Sequence, residues 1–311
     1  MRDREYFKAY FTGYVDIAEK DDYLIPYRFS PQMREYYKKK GDFFGSRSLF
    51  TSCIAIWVDK CRKVAFDFQS FDTNGHGVKF DVTGIGEETK QIAFGERKGY
   101  FELEVDCEDI QIWFPYDTEL GIKNINIDGN IHLFEENVIY SFGDSITQGL
   151  HTIKPSTPYT TVLSRAYNTK AYNFGIAGFW YDKGILGDLN ILPYPKMVVV
   201  SYGGNDYARD KEDYVDEMSN IFQSLAHRYP DVPVFVMLPF LGKTKTEGRK
   251  IDFSAMRERI KTEALRYTSF QVMDCFMELD VDSMLYDHIH PNTSGMEVLG
   301  NAVLKAVKKV L

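Results

Sequence analysis

The chain has 311 residues, with 45 acidic against 37 basic side chains and therefore a net charge of −8. Binding a polyanion through its phosphates needs a basic field, so this balance argues against nucleic acid as the main partner. Hydrophobic residues at 44% and charged residues at 26% are ordinary for a folded globular protein, and the length allows two domains or one large one. No apolar run approaches the roughly 20 residues of a membrane-spanning helix. The first residues, Met1 to Tyr6, lack the apolar stretch of a secretory signal. The expectation is a cytoplasmic protein with no membrane partner. Cys53, Cys61, Cys107 and Cys275 show no C-x-x-C spacing and read as separate thiols.

Residues 1–135 are written mostly in period two. Ile54, Ile56 and Val58 alternate, as do Val64, Phe66 and Phe68, then Phe101, Leu103 and Val105, with turn signals at Thr73-Asn74-Gly75 and Asp128-Gly129. This pattern predicts an antiparallel β-sandwich, jelly-roll-like. One short helix interrupts it, Ser30 to Lys40, where Ser30 can cap and Pro31 can take the first helical position.

From residue 136 to 311 the period changes. Short apolar runs at Val138–Phe142, Ala171–Phe174, Met197–Tyr202, Val234–Leu238 and Phe270–Asp274 alternate with helical stretches. Those stretches are Pro158–Tyr167 capped by Thr157, Glu212–Tyr229, Phe253–Tyr267 capped by Asp252, and Ser294–Val310. Five strands in βαβ order predict a doubly wound, flavodoxin-like parallel sheet with helices on both faces. Ligands of such sheets bind beyond the carboxyl ends of the strands.

Four segments fall at those ends. The first strand runs into Gly143-Asp144-Ser145, where a serine at the strand-to-helix turn is either a nucleophile or a helix N-cap. The second is followed by Gly175-Ile176-Ala177-Gly178, able to turn a backbone N–H toward the same point. The third is followed by Gly203-Gly204-Asn205-Asp206, which offers a side-chain amide as donor. The last is Asp287-His288-Ile289-His290. An aspartate three residues before a histidine can bond one ring nitrogen and leave the other for a serine; a metal site using His288 and His290, or a purely structural cap, are the competing readings.

Taken together, in this order, the four segments resemble the blocks of the SGNH, or GDSL-type, hydrolase family over about Val138 to Leu311. The resemblance implies that Ser145 is the nucleophile, His290 the general base and Asp287 its partner. It also implies an oxyanion hole from the Ser145 N–H, the Gly178 N–H and the Asn205 side chain, with Gly175 as the competitor of Gly178. It implies no cofactor and no metal. The segments Leu24 to Phe29 and Gly45 to Phe50, followed by alternating strands, are similar to the β-sandwich domain that precedes the catalytic domain in some of these esterases and acyltransferases. The expected domains are therefore 1–135, accessory, and 136–311, catalytic. The expected activity is hydrolysis of a short acyl ester, acetyl first, on a small-molecule or carbohydrate substrate, rising with pH as the base loses its proton. An acyltransferase with the same triad and a non-catalytic carbohydrate-binding protein are the alternatives. Phe179-Trp180-Tyr181 could wall the pocket or pack in the core, and Lys243, Lys245, Arg249 and Lys250 could meet an anionic substrate or simply be solvated.

Overall fold

The computed structural model describes residues 4–71, 77–85, 89–244 and 247–311. The chain divides into two compact units, residues 1–135 with 153–156, and residues 136–152 with 157–311. Among the described residues no helix is long and apolar enough to cross a membrane.

The first unit contains α1 (Arg4–Lys8), β1 (Phe11–Thr12), β2 (Asp16–Lys20), β3 (Tyr23–Tyr27), α2 (Pro31–Lys40), α3 (Asp42–Ser48), β4 (Ala55–Ser70), β5 (Lys79–Thr83), β6 (Lys90–Ala93), β7 (Lys98–Trp113) and β8 (Leu120–Ile131). The strands form an antiparallel sheet in the order β2-β3-β8-β4-β7-β5-β6, with β1 on β4. β4 pairs with both β7 and β8, and register shifts near Cys61 to Lys63 mark bulges that bend and twist the long strands. An apolar core results, built around Phe66, Phe80, Phe101 and Phe114, with Phe66 and Phe101 stacked at 4.7 Å.

Two turn readings change here. The runs Ile54–Val58 and Val64–Phe68 belong to one 16-residue strand, which continues through Lys60 in the left-handed conformation (φ 48°). Asp128-Gly129 is no turn but lies inside β8, and the glycine there answers to packing, since a Cβ would sit 2.4 Å from Val58 Cγ1. Thr73-Asn74-Gly75 lies outside the described residues. The helix expected at Ser30 forms as read, with Ser30 Oγ accepting from the Met33 N–H at 3.2 Å. Arg28, fully buried, donates from Nε to the Phe50 carbonyl at 2.8 Å and from Nη2 to the Arg47 carbonyl at 3.0 Å. The segments 24–29 and 45–50 are thus tied to each other. Residues 153–156 join this unit through Asp81, whose carboxylate accepts from the Ser156 N–H at 2.9 Å and its hydroxyl at 2.7 Å.

The second unit runs β9 (Val138–Gly143), α4 (Ser145–Gln148), α5 (Tyr159–Ala166), β10 (Ala171–Gly175), a 3-10 turn (Lys183–Asn190), β11 (Pro195–Ser201), α6 (Gly204–Ala208), α7 (Tyr214–Arg228), β12 (Val234–Met237), α8 (Phe253–Ala264), β13 (Phe270–Met273) and α9 (Thr293–Val307). Its five strands are parallel in the order β10-β9-β11-β12-β13. This is the doubly wound arrangement, with its strand order reversing between β9 and β11. Ile139, Val199 and Phe235 meet Tyr159 and Leu163 of α5 and Met296 and Leu299 of α9 on one face. The alternate residues Tyr140, Val198, Val200 and Val236 are buried on the other, so the strands read as continuous apolar runs. The helix after Thr157 begins at Tyr159 with Pro158 in the cap position, since the Thr157 hydroxyl bonds Thr152 Oγ1 at 2.7 Å instead. α8 is capped by Asp252, which accepts from the Ala255 N–H at 2.7 Å, and ends at Ala264.

Candidate active site

The crevice at the reversal point is framed by the ends of β9 and β11. Asp144 caps α4, its Oδ1 accepting from the Ile146 N–H at 3.0 Å, so Ser145 is the first helical residue and not the cap. That frees the serine hydroxyl. Its Oγ stands 2.8 Å from His290 Nε2.

The turn before α9 orients the histidine. Asp287 Oδ1 accepts from the Ile289 and His290 N–H groups, both at 2.8 Å, and its Oδ2 lies 2.7 Å from His290 Nδ1. Burial works against the Asp287 charge, but those two N–H groups and the His290 ring outweigh it and hold the carboxyl at about 2. An ionised carboxylate only accepts, so Nδ1 carries a proton, and it is Nε2 whose lone pair can serve Ser145.

Asn205, in α6 after β11, donates from Nδ2 to the Phe179 carbonyl at 2.9 Å, which brings its amide beside the segment following Gly178. Gly178 has φ 77°. The three N–H groups before it are engaged: Gly175 donates to Asn173 Oδ1 at 2.8 Å, Ile176 to the Gly143 carbonyl at 3.0 Å, and Ala177 to Gln148 Oε1 at 2.8 Å. Gly175 is a packing glycine, as a Cβ there would lie 2.4 Å from the Gln148 nitrogen.

A cavity of about 160 Å³ opens on this group, lined by Ser145, Asn205 and His290 and walled by Pro239, Phe240, Phe276 and Ile289. Of the two readings of Phe179 and Tyr181, pocket wall or core, the structure gives the core, as neither has exposed surface. Trp180 stacks on Phe179 and carries Arg209 and Lys211 over its ring, each 4.8 Å away. The basic loop is paired: Lys243 with Asp282 at 2.8 Å, Arg249 with Asp210 at 3.9 Å and Lys250 with Glu212 at 3.7 Å, while Lys245 lies outside the described residues.

Three features had escaped the sequence. Asp144 and Asp206 are both buried carboxyls, lifted by burial to about 6 and about 7 respectively. For Asp206 the Tyr181 N–H, at 3.2 and 3.3 Å from its two oxygens, pulls the other way. His151 is the third: its ring stacks on Tyr286 at 4.1 Å and its Nε2 lies 3.8 Å from Asp287 Oδ2. His288 is not part of this group; its backbone carbonyl accepts from the Lys243 N–H.

The sequence model of the GDSL-like lipase/acylhydrolase family matches residues 141–298, half of the chain. Among curated proteins no sequence relative is found. Solved structures are similar over nearly the whole chain. A salicylyl-acyltransferase from a tetracycline biosynthetic pathway superposes with a TM-score of 0.78 at 16% identity, covering 96% of this chain and 94% of its own. An acetyl xylan esterase of the rumen bacterium Butyrivibrio proteoclasticus gives 0.59 at 12% identity over 97% and 96%. A family two carbohydrate esterase from Cellvibrio japonicus gives 0.63 at 11% identity over 97% and 95%. At these identities the likeness is one of fold.

Proposed function

The chain belongs to the GDSL-like lipase/acylhydrolase family, and from that premise we propose that it is a serine esterase releasing short acyl groups, acetyl foremost, from a carbohydrate. Residues 136–311 are then the catalytic domain and residues 1–135 an accessory one. The observation that carries the reading is the continuous run from Ser145 Oγ to His290 Nε2 and from His290 Nδ1 to Asp287, opening on a small, mostly apolar cavity.

In this reading Ser145 Oγ attacks the ester carbonyl while His290 Nε2 takes its proton, and Asp287 stabilises the imidazolium. The carbonyl oxygen gains the negative charge, and the N–H groups of Ser145 and Gly178 and the Asn205 amide receive it. Engagement of the Gly175, Ile176 and Ala177 N–H groups within the protein favours Gly178 for that role. The alcohol departs with the proton from His290. Water then attacks the acyl-serine with His290 again as base, releasing the acid and restoring Ser145.

Cavity size supports a short acyl group. About 160 Å³ is close to a pocket that holds benzene, so acetyl fits within it while an octanoyl chain has to run out into solvent. A second reading is favoured by the similarity to the salicylyl-acyltransferase along almost the entire chain. An aryl acyl group also fits the cavity, and an acceptor hydroxyl would replace water in the second half-reaction. The test is turnover of p-nitrophenyl acetate, octanoate and an aryl ester, with and without acceptor alcohols, by the wild type and Ser145→Ala. Acetate hydrolysis abolished in the variant supports the esterase. Faster octanoate turnover overturns the short-acyl assignment, and acyl transfer to alcohol in preference to water selects the transferase.

A further inference from the structure

Beside the triad stands a second imidazole. His151 Nε2, Asp287 Oδ2 and His290 are close enough that one ligand atom from each lies within 4.8 Å of the others. Two distances set the geometry: 3.8 Å from His151 Nε2 to Asp287 Oδ2, and 2.7 Å from His290 Nδ1 to the same oxygen. In a tetrahedral zinc site with ligands at about 2.0–2.1 Å, neighbouring ligand atoms are roughly 3.3 Å apart. The first distance has to close by about half an ångström and the second to open by about as much. His151 is held for this role by its stack on Tyr286, with ring planes 12° apart, and by a left-handed backbone (φ 67°) uncommon for a residue with a Cβ. All three side chains are partly exposed, so an ion and its remaining water ligand have access.

We propose that His151, Asp287 and His290 form an inhibitory site for zinc or a similar borderline-soft divalent cation. The inhibition, though not the binding, rests on the esterase reading above. Zinc needs the lone pair of His290 Nδ1, which in the resting ring carries the proton. Binding therefore moves that proton to Nε2. The ring then offers Ser145 an N–H in place of a lone pair and can no longer act as its base, while Asp287 is committed to the ion. Magnesium and calcium, which prefer sets of oxygen ligands, bind poorly to two imidazoles and one carboxylate.

The experiment titrates the EDTA-treated, dialysed full chain with zinc chloride, by calorimetry and by hydrolysis of p-nitrophenyl acetate in parallel. One zinc bound, hydrolysis lost in step with occupancy, recovery on adding EDTA and indifference to magnesium are expected. His151→Asn keeps a residue that tolerates the left-handed backbone, and its inhibition by zinc is read against its own zinc-free hydrolysis. Its zinc affinity should fall by more than the roughly 10–100-fold that loss of a mere orienting partner costs, and the inhibition curve should move by the same factor. Cobalt(II) bound to the wild type should show the strong visible absorption of a four- or five-coordinate ion, a readout that needs no variant. Absence of zinc binding, or equal zinc affinity in His151→Asn, overturns the site. His151-dependent binding that leaves hydrolysis untouched keeps the site and overturns His290 as the base.

Discussion

Asp206→Asn isolates the energetics of a buried carboxyl beneath the crevice. Asp206 has no exposed surface, and burial lifts its carboxyl from 3.8 to about 7. In the unfolded chain the group ionises near 3.8, so between pH 4 and pH 7 the native state holds a proton that the unfolded state has lost. Stability from this group is complete below pH 4, falls as pH rises through that window, and is flat above pH 7. A shift of about three units at about 1.4 kcal/mol each is roughly 4 kcal/mol in all, of which about 3 kcal/mol is lost between pH 5 and pH 8. Asparagine keeps an acceptor for the Tyr181 N–H and does not titrate. Any cost of housing its NH2 group is independent of pH and cancels when two pH values are compared. Relative to the variant, the wild type should therefore lose about 6–12 °C of Tm between pH 5 and pH 8, at about 2–4 °C per kcal/mol for a unit of this size. Differential scanning calorimetry of both proteins at matched ionic strength reads this directly. Parallel curves of Tm against pH would mean that the carboxyl stays ionised throughout, and would refute the reasoning.

Two further outcomes follow from the geometry. Asn205→Ala should lower kcat by about 10²–10³-fold with little change in KM, because its donor acts on charge that exists only in the transition state; a change confined to KM would make Asn205 a ground-state binding group. Gly175→Ala puts a Cβ 2.4 Å from the Gln148 nitrogen and should destabilise the catalytic unit by about 3 kcal/mol or more, read by urea unfolding, while Gly95→Ala, whose Cβ meets nothing within 4 Å, should leave stability unchanged.

What the sequence disclosed and what it withheld divide along physical lines. The five parallel strands were legible because both faces of each are buried, which forces runs such as Met197–Val200 to be apolar at every position. The segments at their ends were legible because chain order and strand topology alone bring Ser145, Asn205 and His290 to one edge. β4 was not legible as a single strand. Its bulge near Cys61 breaks the alternation on which the period-two reading depends, and a left-handed Lys60 looks like the end of a strand when only residue types are known. Competition for a single hydroxyl likewise decided the start of α5, where Thr157 bonds Thr152 rather than the helix.

The unseen parts of the site share one cause: each depends on a neighbour distant in sequence. Asp206 reads as the end of a turn motif, and only the fold places it under the 178–181 segment, where it accepts the Tyr181 N–H while adjacent Asn205 donates to the Phe179 carbonyl. The two side chains thus grip opposite polar groups of one short segment, one an acceptor and one a donor, so α6 helps to position Gly178 from one side while Gly143 and Gln148 hold the Ile176 and Ala177 N–H groups before it. A buried carboxyl that is neutral through the weakly acid range and ionised above it would tighten this grip as pH rises, since a carboxylate accepts more strongly than a carboxylic acid. Ionisation of Asp206 therefore costs stability while strengthening the hold on the segment that carries the proposed oxyanion donor. Asp206→Asn should separate the two effects: a flatter dependence of Tm on pH, together with a kcat that gains less than the wild type above pH 7.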